Sequence, residues 1–429
     1  MGERLTDIFM LLFCEKNSDG TKSLRLKGRE LYQRIHHRVK DKDMVKISDF
    51  LTMHPDVVKL DLCYNNITNK GLAQLVLQYL RYENNLQHLN LAGCDLTGTS
   101  MRYFCRCADT FKLITLRVNG NKLGTEGSQY LAELLEKNTT LKHLDLGDSD
   151  QTLSSIPHLC SVLREDIGKN KTLEVLDISR VIPPSEYYQY NPGHLAEQLG
   201  NMLKVNKSLR ELHAQKCQFD GHDIELLLLG LKCNETLLLL DLGYNRIGDH
   251  GLEAIAKWLR TRPNLLGLNV SGNGIGNTGA RALSFHMPFS KLRLLDVSHN
   301  KIGDDGMIDI LNSLKKPYSL RLFYIWDNFI NQRTFWVLER MLLSKVLEQD
   351  NIDVKLYRVD GVLYHAYYPS DRYKHKYYCE MDHGYPVELR IKRNTIDMDN
   401  TQPRSLVKFK FYPRVPPADD RLPPREKPC

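Results

Sequence analysis

Three stretches of this sequence carry residue types at spacings that could do chemistry. In SGNGIGNTGARAL (271–283), Gly274, Gly276 and Gly279 spell GxGxxG behind a short apolar run (265–270), and Asp296 lies twenty residues beyond Gly276. Glycines so placed let a turn approach a pyrophosphate at a helix N-terminus, and the distant acid would take a ribose hydroxyl, the outline of a dinucleotide site. His375, Cys379 and His383 fall at i, i+4 and i+8, one face of a helix that could hold a metal. However, HGYP (383–386) breaks that helix, and no fourth ligand accompanies the three. Arg246, in GYNRIGDHG (243–251), is a turn arginine of the kind that stabilises charge in GTP hydrolysis, although lysine or glycine holds its place in comparable turns. His213 has Glu211 and Gln215 on its own strand face, which is no nucleophile–base–acid triad.

The elements that must position these residues form a repeat. VVKLDLCYNNITNKG (57–71), LQHLNLAGCDL (86–96), LITLRVNGNKLGTEG (113–127), LKHLDLGDSD (141–150) and LEVLDISRV (173–181) are followed by LRELHAQKCQF (209–219), LLLLDLGYNRIGDHG (237–251), LLGLNVSGNGIGNTG (265–279), LRLLDVSHNKIGDDG (292–306) and LRLFYIWDNFI (320–330). Starts are spaced 27–29 residues apart, except for intervals of 32 and 36 after the fourth and fifth units. The form is LxxLxLxx(N/C)xL, the signature of leucine-rich repeats. The leucines of LxL point inward from a short strand and the residue between them points to the other face. Asn65, Cys94, Asn121, Cys217, Asn245, Asn273, Asn300 and Asn328 fill the Asn/Cys slot, where an amide can satisfy buried backbone groups; Ser149 and Val181 break the rule. Leu252, Ile255, Ala256 and Leu259 give the one apolar face of the helical half.

The repeat dissolves the first motif. Gly276 and Gly279 occupy the slots of Gly124/Gly127, Gly248/Gly251 and Gly303/Gly306, where a bend or close packing needs glycine, and Asp296 is the LDV aspartate of the next unit. No parallel-sheet switch point accompanies them, so no nucleotide cofactor is expected.

The 28-residue period and the LDLxxNxIxxxG blocks resemble the ribonuclease-inhibitor type of leucine-rich repeat over about residues 57–345. The irregular segments LDLGDSD (144–150), RVIPPSEYY (180–188), YIWDNF (324–329) and NIDVKLYRVDGVLYHA (351–366) resemble one branch of that family more specifically. The resemblance implies an α/β solenoid, a horseshoe with a parallel concave sheet and convex helices. It further implies a non-catalytic scaffold for proteins, tied to motile-cilium axonemes or to nucleolar ribosome-assembly factors; some similar proteins activate GTPases. The tail after about residue 370 departs from the family pattern, so no function housed there carries over.

Several surfaces could receive a partner. The central concave row reads Asp61, Asn90, Arg117, Asp145, Asp177, His213, Asp241, Asn269, Asp296 and Tyr324, an acidic stripe suited to a basic helix or tail, or else plain consensus aspartate. Small residues in the next slot (Ala92, Gly147, Ser179, Gly243, Ser271, Ser298) would leave its floor open. The long fifth repeat holds IPPSEYYQYNPG (182–193), where Tyr187, Tyr188 and Tyr190 are anchors for a partner or for self-packing. Tyr324 and Trp326 belong to an aromatic final repeat whose exposed end needs a cap. A hairpin turning on Asp360-Gly361, with alternating apolar flanks, is expected over that end.

The expected organisation is an N-terminal helical cap with a basic segment (1–56), ten repeats (57–345), a β-hairpin-containing cap (346–400) and a Pro-rich extended tail (401–429). The basic segment (22–46) carries no aromatic ladder, so it reads as a solvated face, and direct nucleic-acid binding is not expected. A KxxPxxP match at 410–416 needs no receptor. The net charge of +7 is modest. IFMLLFC (8–14) is far short of a bilayer span, and Glu3 makes MGERLT a poor myristoylation signal, so no membrane partner is expected. The scattered cysteines, without a CxxC pair, fit a reducing cytoplasmic compartment. No small-molecule substrate and no cofactor are expected.

Overall fold

The computed structural model describes residues 5–182, 190–314 and 320–368. The N-terminal segment forms α1 (Asp7–Leu12), β1 (Cys14–Lys16), β2 (Lys22–Arg25), α2 (Gly28–Ile35) and α3 (Met44–Met53). It is therefore not purely helical, as the sequence suggested: β2 pairs in parallel with the first repeat strand and β1 folds back on β2 antiparallel. The sheet edge that the first repeat would expose is thus covered by chain from outside the repeats.

Each repeat adds one short strand: β3 (Val57–Asp61), β4 (His88–Asn90), β5 (Thr115–Arg117), β6 (His143–Asp145), β7 (Val175–Asp177), β8 (Glu211–His213), β9 (Leu239–Asp241), β10 (Gly267–Asn269), β11 (Leu294–Asp296) and β12 (Leu322–Tyr324). They run in sequence order through a 12-stranded sheet. Ten helices follow them: α4 (Asn69–Leu75), α5 (Gly98–Arg106), α6 (Gly124–Lys137), α7 (Ile156–Leu163), α8 (Pro192–Val205), α9 (Gly221–Leu231), α10 (Gly248–Leu259), α11 (Asn277–His286), α12 (Asp304–Ser313) and α13 (Gln332–Leu343). Register is fixed by like against like, Leu60 beside Leu89 beside Leu116 and so on to Leu295 beside Phe323. These leucines, all but inaccessible to solvent, and the apolar helix faces make one continuous core. No described helix is long and apolar enough to cross a membrane.

Hydrogen bonding between repeats continues beyond the strands. The N–H of Leu62 donates to the carbonyl of Asn90 (2.9 Å), and that of Tyr64 to Ala92 (2.8 Å). The same pattern ends with Val297 donating to Tyr324 (3.0 Å) and His299 to Trp326 (2.8 Å). To keep this ladder, one residue per repeat turns into the left-handed region: Tyr64, Gly93, Gly120, Asp148, Arg180, Lys216, Tyr244, Gly272, His299 and Asp327, with φ between 47° and 71°. Most of these are not glycine, so each such site carries strain of the order of 1 kcal/mol that the ladder offsets.

The asparagine slot holds adjacent repeats together. Asn245 donates to the carbonyls of Ala214 (2.9 Å) and Leu242 (2.8 Å) and accepts from the N–H of Phe219 (3.2 Å). Where cysteine stands, Cys94 and Cys217 reach Leu62 O and Ile178 O at 3.5 Å. Ser149 bonds Leu146 O (2.5 Å), with help from Gln151, whose amide reaches the Ser149 hydroxyl (3.1 Å). A second asparagine set escaped the sequence reading. Asn138, Asn170, Asn206 and Asn234, each in an N-x-(S/T)-L motif, accept from the two backbone N–H groups that start the next unit and donate back to the previous repeat. All four are buried, which removes them as glycan acceptors despite the motif.

The last repeat is closed by β13 (Val354–Val359) and β14 (Val362–Tyr367), the hairpin expected on Asp360-Gly361, both turn residues having positive φ (50° and 82°). Trp326 packs on His365 and Tyr367 (centroids 5.3 and 5.4 Å), and Phe335 on His365 (4.8 Å). Asp353, also buried, completes the closure by accepting from the N–H of Ile325 (2.8 Å) and of Trp326 (3.1 Å). It stands in for the carbonyl of a missing eleventh strand and for the aspartate that Tyr324 replaces.

Candidate protein-binding face

The row read as an acidic stripe is in place on the sheet face, but its carboxylates are turned to internal use. Asp61, Asp145, Asp177, Asp241 and Asp296 are only 1–7% exposed. Each accepts from the N–H two residues on: Cys63 (3.1 Å), Gly147 (3.1 Å), Ser179 (2.7 Å), Gly243 (3.1 Å) and Ser298 (2.9 Å). This bond bends the chain out of the strand toward the left-handed residue. The small residues beside them are the donors of that turn, not an open floor. The expectation of accessible carboxylates is thereby corrected: strands a few ångströms apart also bring side-chain donors of neighbouring repeats onto three of the acids. Asn90 donates to Asp61 (3.0 Å), Arg117 Nε to Asp145 (3.1 Å), and Gln215 Nε2 to Asp241 (2.7 Å). Burial, the largest influence, pushes the Asp61 carboxyl above its ordinary value. Tyr324 is likewise buried, and its neighbours Leu294 and Leu322 form a small apolar cluster apart from the main core.

His213 is the most unusual member of the row. Its Nδ1 lies 3.1 Å from Asp241 Oδ2 and its Nε2 3.5 Å from Glu211 Oε2, all three being buried. Burial alone would push the imidazole down, but the bonds to Asp241 and Glu211 outweigh it and hold its pKa at about 10. Burial pushes the Glu211 carboxyl up while its bond to His213 pulls it down, so the trio favours an imidazole that keeps its proton between two buried acids.

What the sheet face exposes is the left-handed row at its rim. Tyr64 and Tyr244 are 39% and 43% exposed. Arg29 stacks over Tyr64 (4.1 Å) and Lys216 over Tyr244 (5.4 Å), while His299 bonds Asp327 (2.8 Å). Arg180 pairs with Asp148 across two repeats. Aromatic and cationic side chains held in one conformation are well suited to protein contact, because little side-chain entropy remains to be lost. The sequence offered no sign of this row, since Tyr, Arg, Lys and His do not announce a positive φ.

The remaining candidates separate cleanly. Tyr190 turns inward, its hydroxyl donating to Cys217 O (2.7 Å), so it packs rather than anchors. Tyr187 and Tyr188 lie outside the described residues, as do His375, Cys379, His383, the 410–416 motif and the Pro-rich tail. Trp326 is half covered by the hairpin. Arg246 is exposed, on the turn before α10.

The GxGxxG turn is occupied from within. Gly276 and Gly279 donate their N–H groups to Asp249 Oδ1 of the preceding repeat (2.7 and 3.0 Å), so a carboxylate stands where a phosphate would. A Cβ on Gly279 would come within 2.7 Å of that oxygen. The device recurs: Asp41, in the turn before α3, caps α4, while Asn69 caps α5, Asn277 caps α12 and Asp304 caps α13, these three from the helix before. Helices starting at Gly276 and Gly303, which lack a cap of their own, borrow one across the repeat boundary. We expect Asp249→Ala to cost about 1–2 kcal/mol in denaturant unfolding, and Gly279→Ala at least as much. Unchanged midpoints in both would refute borrowed capping.

A chain built of such strands, asparagine slots and helices is a leucine-rich repeat protein. The leucine-rich repeat family models match residues 85–107, 233–256, 263–284 and 290–311. Within that class the chain is similar to the ribonuclease-inhibitor type. It is 32% identical to the ribonuclease inhibitor of Mus musculus over 140 residues, 32% of this chain and 29% of the relative. It is 29% identical to that of Sus scrofa over 197 residues (39% and 41%), and 31% identical to leucine-rich repeat-containing protein 34 of Mus musculus over 88 residues (20% and 21%). The chain thus spans less than half the length of each of these relatives.

Proposed function

We propose that this chain is a non-catalytic adaptor that holds protein partners along the rim of its sheet face, as a structural subunit of a large assembly. The observation that carries this reading is the left-handed row, which holds an aromatic or charged side chain in seven of the ten repeats, Tyr64, Asp148, Arg180, Lys216, Tyr244, His299 and Asp327. Relatives named for inhibiting a ribonuclease support binding to a folded protein surface. The compartment follows from the resemblance of the irregular segments alone: the motile-cilium axoneme first, with nucleolar ribosome-assembly factors as the second reading.

The test is affinity capture from ciliated cells with wild type, a Tyr64→Ala/Lys216→Glu/Tyr244→Ala variant and a truncation before Pro369. The rim substitutions fall on exposed side chains and spare the core. Loss of axonemal proteins with the rim variant supports the reading; recovery of nucleolar factors instead moves the compartment. Partners retained by the rim variant and lost only on truncation would overturn the rim as the contact. Charge reversal of Asp145, Asp241 and Asp296 is a poor test, since it would unfold the turns they hold.

A further inference from the structure

The helical face carries a pattern that neither the core nor the binding reading uses. His-x-x-Glu occurs at 194/197, 222/225 and 250/253, once per helix in α8, α9 and α10, at intervals of 28 residues. In α9 and α10 the repeat spacing brings two of these histidines onto one carboxylate. Glu225 Oε2 lies 3.5 Å from His222 Nδ1 and Glu225 Oε1 lies 3.4 Å from His250 Nε2, and the two imidazole centroids are 4.9 Å apart. All three ligand atoms fall within 4.8 Å of one another.

The backbone holds this placement. The N-cap carboxylate of Asp220 accepts from the N–H of His222 (2.8 Å), fixing the first turn of α9. There α9 and α10 meet through glycines: a Cβ on Gly221 would lie 2.7 Å from the His250 ring and 3.0 Å from Gly251 N. Glu253, the remaining acid of the pattern on α10, is drawn away by Lys257 (2.8 Å), leaving Glu225 as the carboxylate shared by both rings.

We propose that His222, Glu225 and His250 form a site for a divalent transition cation of the zinc class, clipping the helices of the sixth and seventh repeats together. With metal–ligand bonds of about 2.0–2.2 Å, tetrahedral ligands lie roughly 3.3–3.5 Å apart, which is the spacing of the two Glu225 contacts. Two imidazoles and a carboxylate favour zinc, cobalt or nickel over magnesium or calcium, which take all-oxygen sets. The ligands are 53–80% exposed, so a fourth position stays open to water or to a side chain of a bound partner.

The test is a cobalt titration of the full chain followed by its visible d–d absorbance, with zinc as displacing ion. A background carrying His375→Ala, Cys379→Ser and His383→Ala removes the sequence's other candidate ligands. One cobalt ion with the intense bands of low coordination number is expected, with the thermal midpoint raised by zinc in excess. His250→Ala should weaken binding roughly tenfold or more and abolish the thermal shift, and Glu225→Gln should do so less severely. Far-UV circular dichroism checks that these exposed substitutions leave the fold intact. Absence of cobalt uptake in the background, or uptake that His222→Ala and His250→Ala leave unchanged, overturns the site.

Discussion

Asn300→Ala is expected to lose about 3–5 kcal/mol of stability, enough to unfold a marginal solenoid near physiological temperature. The side chain is buried, and its amide donates to Val270 O (3.0 Å) and Val297 O (2.9 Å). Its carbonyl oxygen accepts from the N–H groups of Asn273 (2.8 Å) and Ile275 (3.1 Å). Alanine would leave those four backbone groups inside the protein without a partner and without access to water, and each such group costs roughly 1–3 kcal/mol before relaxation. Asn300→Cys should recover part of the loss, because cysteine already serves this slot at Cys94 and Cys217 through one longer bond to a carbonyl. Denaturant unfolding of the three proteins is the measurement. An alanine variant within 1 kcal/mol of wild type, or a cysteine variant no better than alanine, would show that the slot is filled for packing alone.

His213→Leu is expected to cost a similar 3–5 kcal/mol near neutral pH, since it strands Glu211 and Asp241 as buried carboxylates without their cation. The two carboxylates and the ring face one another from β8 and β9, and Gln215 adds a donor to Asp241. The pH dependence separates this from simple loss of packing. The folded pKa of about 10 lies above the ordinary 6.5, so the native state binds the proton more tightly than the unfolded chain. Its contribution is complete below pH 6.5 and is lost as pH rises toward 10, so stability must fall with pH across that window. Between pH 6.5 and 7.5, about a unit or more below the ordinary thiol pKa, the wild-type midpoint should decline and the variant's decline should be smaller. Parallel profiles would mean that the ring is neutral in the native state.

The fold was legible because its signal is repeated: ten apolar variants of LxxLxL leave little choice of strand, and the Asn/Cys slots mark where the chain turns. What escaped the sequence was whatever depends on two residues in different copies. Asp249 reads as an ordinary first-turn acid of α10, yet its partners, Gly276 and Gly279, lie 27 and 30 residues away. Asp61 and Asp145 occupy the outward strand position that alternation assigns them, but outward here is not exposed, because Asn90 and Arg117 arrive from adjacent strands to cover them. The rim row is invisible for a different reason. A left-handed φ is usually announced by glycine, and here glycine fills only Gly93, Gly120 and Gly272 of the row. The carboxylate at Asp353 had no consensus to mark it, since it acts where the consensus ends.

That terminal carboxylate decides more than local stability. Because each repeat both donates to and accepts from its neighbour, either end of a parallel array carries N–H and carbonyl groups that a further strand could pair. Two such edges fit one another head to tail, and a contact of that kind can extend indefinitely without any symmetry that closes the chain. Asp353 accepts from two N–H groups of the last repeat, and β1 and β2 cover the edge of the first. Each end of the array is thus closed by a stopper, one a buried side chain and one a folded-back strand pair, that takes the place a further repeat would fill.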